Sequence, residues 1–415
     1  MQKETFLNEL EKELLSNNFI KNKINSHILD SIDVIGFDID HSLSIYNTKN
    51  MSYLLYNSFS KYLIDYKNYP DFIEYSNHQD FINKISSCEI LLDFKNGNAL
   101  KISNNKKIKK CFHGKNQLNS SEILKYYSDG FYNEYTKNIN YKENIYYITK
   151  GNFEYHLVPL FLICVEALDK NLINENKTYL KIKEDLWESL TFNFKLKDRF
   201  EDYSKSGYYF TEIAKNPEKY IFNYKAFDLL KLLKKKGFKI FFCTNSFFSY
   251  GDFIIKNSIG NEYKNIFDLG FWYSKKPLFF ENENLPCFFN DGKEINNNIN
   301  KEEYEKIKKE KFLFEGNFKL VENYFKKDLN KNKVNIIYIG DDLINDFYKP
   351  LKINWKAIYI NNCIKTGFFE EFPENFGKFW ELNEEEKKDF IDIKCEIIQE
   401  GEIALSNVDC LKYLI

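Results

Sequence analysis

Apolar residues fill the run from Val34 to Phe37 and then stop at two acids, Asp38 and Asp40, with the hydroxyl of Ser42 close behind. A run that is apolar throughout, rather than at alternate positions, fits a strand buried on both faces, as in a parallel sheet covered by helices. The pattern recurs twice. Phe238 to Cys243 runs into Thr244-Asn245-Ser246, and Asn335 to Ile339 runs into Gly340-Asp341-Asp342 with Asp346 just beyond. Trp355 to Ile360 predicts a further strand. Ahead of the second run, Ala226 to Lys236 has helical spacing and stops at Gly237, a residue suited to the turn that ends a helix. Helix, glycine and strand in that order form the second half of a βαβ unit. The pattern predicts an α/β fold built on a Rossmann-like, doubly wound parallel sheet.

Between the first two runs lies a long segment with its own organisation. Tyr53 to Leu63 predicts a helix, ended at Tyr69-Pro70. Ile90 to Phe94 and Ala99 to Ile102 flank Asn96-Gly97, the strongest short-range hairpin signal, and Lys106 to Phe112 adds a third strand that closes at His113-Gly114. From about 120 to 215 helical patterns dominate, among them Leu157 to Leu168 and Asp185 to Tyr203. No Gly/Ser-rich or Pro-rich linker interrupts the segment, so it reads as a folded insert and not a tether. Residues 281 to 311, rich in Asn, Lys and Glu, predict a surface excursion of low order. Short helices are predicted at about 4 to 17 and at 384 to 399.

The chain has 415 residues, room for one large domain or two. Its formal net charge is -2, from 59 Lys and Arg against 61 Asp and Glu, so no basic excess points to a nucleic-acid partner. The heavy use of Asn, Lys, Ile, Tyr and Phe reads as compositional bias. The eight cysteines are scattered, with no C-x-x-C pair and no His at zinc-ligand spacing, which argues against structural zinc. The mixed-charge amino terminus does not resemble a signal peptide, and no apolar run approaches a membrane span. These features predict a cytoplasmic protein with no membrane partner.

The polar strand ends carry the candidate chemistry. Each has an ordinary reading: Asp38 and Asp40 as a helix cap and turn, Thr244-Asn245-Ser246 as a helix start, Lys276 as a surface lysine. Their joint placement favours another. In a doubly wound sheet such ends meet at one crevice, where ligands bind. Asp38 and Asp40 project to the same side of an extended chain, and two carboxylates without a nearby base call for a hard cation such as Mg²⁺. Lys276, fixed by Pro277, adds an ammonium. One carboxylate as nucleophile, a second as acid and base, a cation, and hydroxyl, amide and ammonium groups together suit phosphoryl transfer.

The order of these motifs resembles the haloacid dehalogenase superfamily of aspartyl-phosphate phosphatases. More closely it is similar to the cytosolic purine 5′-nucleotidases and their "5′-nucleotidase domain-containing" relatives. The residues that carry the likeness are Gly36 to Leu43 with Tyr46, Asp93 to Ile102 with His113-Gly114, Thr244-Asn245-Ser246, Lys276-Pro277-Leu278-Phe279-Phe280, and Ile337 to Asp341. The likeness spans about 30 to 360. It departs from the family at Ser42, where Thr is usual, at His41, where the best-studied purine enzymes carry Tyr, and at Asp342, where His is common.

Residue by residue, the resemblance implies that Asp38 is the nucleophile and Asp40 the general acid/base. Mg²⁺ would bind Asp38, the backbone carbonyl of Asp40, and Asp341. Thr244, Asn245 and Lys276 would hold the phosphate, and Asp346 would orient Lys276 or a metal-bound water. Asp342, Lys275, His113 and His156 are expected to stay outside the chemistry. Residues 1–47 and 220–415 would form the haloacid dehalogenase-like core, and 48–219 a large, mostly helical cap with a β-hairpin near 90–112. The implied substrate is a nucleoside 5′-monophosphate, IMP or GMP foremost. Two alternatives stay open: a phosphatase for another small phosphate, and a family member with little turnover that binds a protein partner. Enzymes of this kind are often homo-oligomers, and no patch in the sequence argues for that independently.

Overall fold

The computed structural model of the protein describes residues 29–87, 90–103, 105–134, 145–149, 153–174, 176–194, 196, 201–222, 226–360, 377–382 and 403–405. The terminal helices predicted at about 4 to 17 and 384 to 399 lie outside them. The first strand, β1 (Val34–Phe37), is buried at all four positions. The chain then turns tightly: Ile39 O accepts from Ser44 N at 2.8 Å, and His41 adopts a left-handed conformation with φ 54. A two-residue strand, β2 (Ile45–Tyr46), leads out of the core.

The insert follows. It opens with α1 (Thr48–Lys67), started by the side chain of Asn47 and ended by left-handed Asn68. Five antiparallel strands come next: β3 (Leu91–Asp93), β4 (Asn98–Ile102), β5 (Ile108–His113), β6 (Asn116–Gln117) and β7 (Tyr146–Ile148), in the spatial order β6-β5-β4-β3-β7. The hairpin predicted around Asn96-Gly97 is β3 and β4, and Gly97 has the positive φ that its turn requires. The longer helices that follow in the insert are α2 (Leu157–Asp169), α3 (Tyr179–Phe194) and α4 (Gly207–Lys215). The chain returns through β8 (Ile221–Phe222), which pairs antiparallel with β2, so entry and exit form one narrow ribbon.

Back in the core, α5 (Ala226–Lys235) buries Leu229, Leu230 and Leu233 and ends at Gly237, φ +94. Each such leucine contributes roughly 1.5–3 kcal/mol by leaving water. Then come β9 (Lys239–Cys243), α6 (Phe248–Ser258), β10 (Leu269–Trp272), β11 (Cys287–Phe288), β12 (Glu294–Ile295), α7 (Lys301–Glu310), β13 (Phe312–Glu315), α8 (Phe318–Leu329), β14 (Ile336–Gly340), β15 (Lys356–Ile360) and β16 (Ile403–Leu405). The sheet runs β12-β11-β13-β10-β9-β1-β14-β15-β16, parallel from β13 to β16 with an antiparallel edge at β11 and β12. In register, Val34 lies beside Lys239 on one side and Ile336 on the other. The three polar-ended runs are therefore neighbours, with β1 between β9 and β14. Gly36 permits this packing: a Cβ there would lie 2.3 Å from Phe241 Cζ and 2.7 Å from Tyr338 Cδ2.

The parallel α/β sheet matches the sequence-based expectation, and four details differ. First, β7 joins the sheet of the insert from a stretch read as helical; its Tyr146-Tyr147-Ile148 are strong β-formers that pair with β3. Second, residues 281–311 are ordered. Buried Cys287, Ile295 and Ile307 anchor β11, β12 and α7, and a capping box of Asn300 and Glu303 starts α7. Third, the helix predicted from Asp185 to Tyr203 begins earlier and ends at Phe194. Fourth, residues 377–382 pack on the insert and not on the sheet. Trp380 is buried, its indole Nε1 donates to Ile85 O at 2.6 Å, and its ring lies 5.0 Å from that of Phe112.

Candidate active site

Beyond the carboxyl end of β1, Asp38 is held by its backbone N–H, which donates to Ile339 O at 2.8 Å. Lys276 reaches over from the loop after β10. Its Nζ donates to Asp38 Oδ1 at 2.8 Å, to Asp346 Oδ1 at 2.6 Å and to the Tyr338 hydroxyl at 3.3 Å. Carboxylate oxygens of Asp38, Asp341 and Asp346 all lie within 4.8 Å of one another. Four of the residues singled out in the sequence thus meet at one point.

Charge dominates this cluster. Three carboxylates face one ammonium. Burial, and then the negative neighbours Asp346 and Asp40, push the Asp38 carboxyl well above the usual range against the pull of Lys276. Burial and the charges of Asp38, Asp346 and Asp342 do the same to Asp341, and burial raises Asp346 to about 6. Burial works against the Lys276 ammonium, yet Asp346 and Asp38 outweigh it and hold the lysine protonated. Unrelieved negative charge among oxygen ligands is the chemistry of a hard-cation site, so these residues fit Mg²⁺.

Local structure explains the approach of Asp346. Residues Leu343–Tyr348 form a π-helical turn started by the Asp342 side chain, which accepts from Ile344 N and Asn345 N, both at 2.9 Å. The Asp342 side chain therefore caps a helix, while its backbone N–H donates to Asp346 Oδ2 at 3.2 Å. The turn seats Asp346 directly over Gly340, where a Cβ would lie 2.4 Å from the Asp346 Cβ. Gly340→Ala is expected to displace Asp346 from Lys276, lowering turnover at least tenfold and stability by about 1–3 kcal/mol. Phosphatase assay and thermal unfolding check this; wild-type turnover in the variant would contradict it.

Thr244 is buried at the end of β9, and its Oγ1 accepts from Ser246 N at 3.0 Å. Asn245 was expected at the phosphate, but its side chain is engaged with the loop that carries the lysine. Oδ1 accepts from Lys276 N at 2.6 Å, and Nδ2 donates to Lys276 O at 3.1 Å. The Lys276-Pro277 bond is cis. Asp40 lies beside the cluster with both oxygens engaged: Tyr46 OH donates to Oδ1, and Ser246 Oγ donates to Oδ2 at 2.8 Å. Lys275 points elsewhere and bridges Glu315 at 2.7 Å. His113 bonds Asn98 and Asp169, and His156 packs on Phe59, so both act within the insert. Sequence reasoning missed the roles of Tyr338 and Ser246. Both stand in quoted motifs, and that membership was the available signal.

The sequence profile of the 5′ nucleotidase family matches residues 19–366. The chain belongs to this family. It is a phosphoric monoester hydrolase by membership, and the likeness to the haloacid dehalogenase superfamily agrees with the assignment. Among curated proteins, the chain is 25% identical over 339 residues to human 5′-nucleotidase domain-containing protein 1, covering 80% of this chain and 72% of the relative. The protein of the same name from Bos taurus is 24% identical over 366 residues, covering 87% and 77%. No helix among the described residues is long and apolar enough to cross a membrane.

Proposed function

We propose that this member of the 5′ nucleotidase family is a Mg²⁺-dependent phosphohydrolase that works through an aspartyl-phosphate on Asp38, with nucleoside 5′-monophosphates, IMP or GMP foremost, as substrates. The observation that carries the proposal is the Asp38–Lys276–Asp346–Asp341 cluster at the ends of adjacent parallel strands. Residues 1–47 and 220–415, apart from 377–382 on the insert, would be the haloacid dehalogenase-like core and 48–219 the cap. The four described free cysteines are all buried thiols, which suits a cytoplasmic enzyme.

In the first step an Asp38 carboxylate oxygen attacks phosphorus while the bond to the 5′ oxygen breaks, and Asp40 delivers its proton to that oxygen. In the second, Asp40 takes a proton from water, which attacks the acyl-phosphate and frees phosphate. Lys276 neutralises the equatorial oxygens, and Thr244 with the backbone N–H groups after β9 supplies further donors. The Asn245 side chain fixes the backbone of Lys276 and so aims its ammonium. Asp38, the Asp40 carbonyl and Asp341 would hold Mg²⁺, which supplies positive charge between the anionic nucleophile and the anionic phosphate. Asp346 keeps Lys276 in place. For the nucleoside, membership of the 5′ nucleotidase family is the support.

Phosphate release from a panel of nucleoside monophosphates and sugar phosphates, with Mg²⁺ or EDTA, tests this reading. Mg²⁺-dependent release from IMP or GMP is expected. Release from sugar phosphates alone would keep the chemistry and overturn the substrate class, and no release from folded, Mg²⁺-loaded protein would overturn both.

A further inference from the structure

We infer that Tyr46 is a positioning residue for Asp40, holding its carboxylate in the orientation needed for proton transfer, and that the hydroxyls of Tyr250 and Tyr209 hold Tyr46 in turn. The inference rests on the reading of Asp40 as the acid/base group. Three buried phenols form the chain. Tyr46 is 2% exposed, Tyr250 6% and Tyr209 1%. The Tyr209 and Tyr250 hydroxyls lie 2.8 Å apart, Tyr250 interacts with the Tyr46 hydroxyl, and Tyr46 donates to Asp40 Oδ1.

A hydroxyl has one proton to donate. Tyr46 gives its one proton to the carboxylate, so its oxygen is left to accept, and the paired Tyr250 and Tyr209 hydroxyls are its buried neighbours. The acceptor-only carboxylate sets the direction of the Tyr46 bond. Burial without such partners would be costly for each phenol, so the arrangement resists rearrangement. Ser246 Oγ holds Asp40 Oδ2 from the opposite side at 2.8 Å. Each carboxylate oxygen has two lone pairs, and one donor apiece leaves a lone pair free to carry the transferred proton. The clamp fixes the rotamer without blocking the chemistry.

The anchors come from three parts of the molecule. Tyr46 stands on β2, in the ribbon through which the chain enters and leaves the insert; Tyr250 is on α6 of the core; Tyr209 is on α4 of the insert. Asp40 is therefore oriented by groups that the insert and the core bring together, none of which touches the nucleophile's own contacts.

A misplaced acid matters only where the leaving oxygen needs a proton. A nucleoside leaves as an alkoxide unless protonated, whereas p-nitrophenolate leaves without help. The test is kcat/KM of the full chain with Mg²⁺ for a nucleoside 5′-monophosphate and for p-nitrophenyl phosphate, in wild type and Tyr46→Phe. This ratio reports only steps up to the first bond cleavage, so the later role of Asp40 with water does not enter. The nucleotide value is expected to fall about 10–100-fold and the p-nitrophenyl value by less than about threefold. Ser246→Ala should show the same selectivity. An equal fall on both substrates, or no fall on the nucleotide, would overturn the assignment. If Tyr46→Phe does not fold, Tyr250→Phe decides by the same comparison. Absence of wild-type turnover on both substrates would instead overturn the acid/base reading itself.

Discussion

Asp38→Asn is expected to lower turnover by about 10⁴-fold or more while leaving the protein at least as stable as wild type in EDTA. The two effects have one origin. In the proposed mechanism Asp38 attacks phosphorus, and an amide in its place would be no nucleophile. Yet in the protein without metal the same carboxyl is raised by burial and by Asp346 and Asp40, and it raises Asp341 in turn. Removing its charge relieves that repulsion, and Lys276 keeps Asp346 as a partner at 2.6 Å. Steady-state assay and thermal unfolding in EDTA measure both. A variant that loses activity because it unfolds at a much lower temperature would assign Asp38 a structural role instead.

Lys276→Met should act in the opposite sense on stability. It removes the ammonium that faces three carboxylates, so turnover falls by about 10²–10³-fold and stability at neutral pH by about 3–5 kcal/mol. The pH dependence follows from the raised carboxyls. A carboxyl whose folded pKa lies above its unfolded value contributes stability at pH below the unfolded value, and this is lost as pH rises through the folded one. For Asp346 that window runs from the ordinary value of 3.8 to about 6. Removing Lys276 raises the folded values further, so the deficit of the variant in EDTA should be larger at pH 7.5 than at pH 5, and Mg²⁺ should reduce it. Thermal unfolding at both pH values, with and without Mg²⁺, measures this. A deficit independent of pH and Mg²⁺ would contradict the charge balance described for the cluster.

Much of the site was legible because its physics is local. The strands β1, β9 and β14 announce themselves as largely apolar runs with polar ends, and a parallel sheet brings such ends together. Asp38, Thr244, Asp341 and Asp346 follow from that rule, and Lys276 from the Lys-Pro pair between the second and third runs. What was not legible depends on distances in space. Asn245 fits a phosphate ligand by type, and only the position of the Lys276 loop shows its side chain on that backbone. Tyr209 and Tyr250 are far from Asp40 in the chain, and among 30 tyrosines nothing marks them. The order of residues 281–311 rests on a few buried anchors such as Ile295 and Ile307 within a polar stretch, which composition averages away. Likewise Tyr146 to Ile148 reads as a strand only beside β3.

The central claim is that a phosphoryl group passes through Asp38. It is tested most directly by mixing the Mg²⁺-loaded protein with a nucleoside 5′-monophosphate carrying labelled phosphate, quenching in acid during turnover, and mapping the label. The expected result is an alkali-labile label on the peptide that contains Asp38, absent from Asp38→Asn. Full turnover with no label at any quench time, together with activity retained in Asp38→Asn, would contradict it.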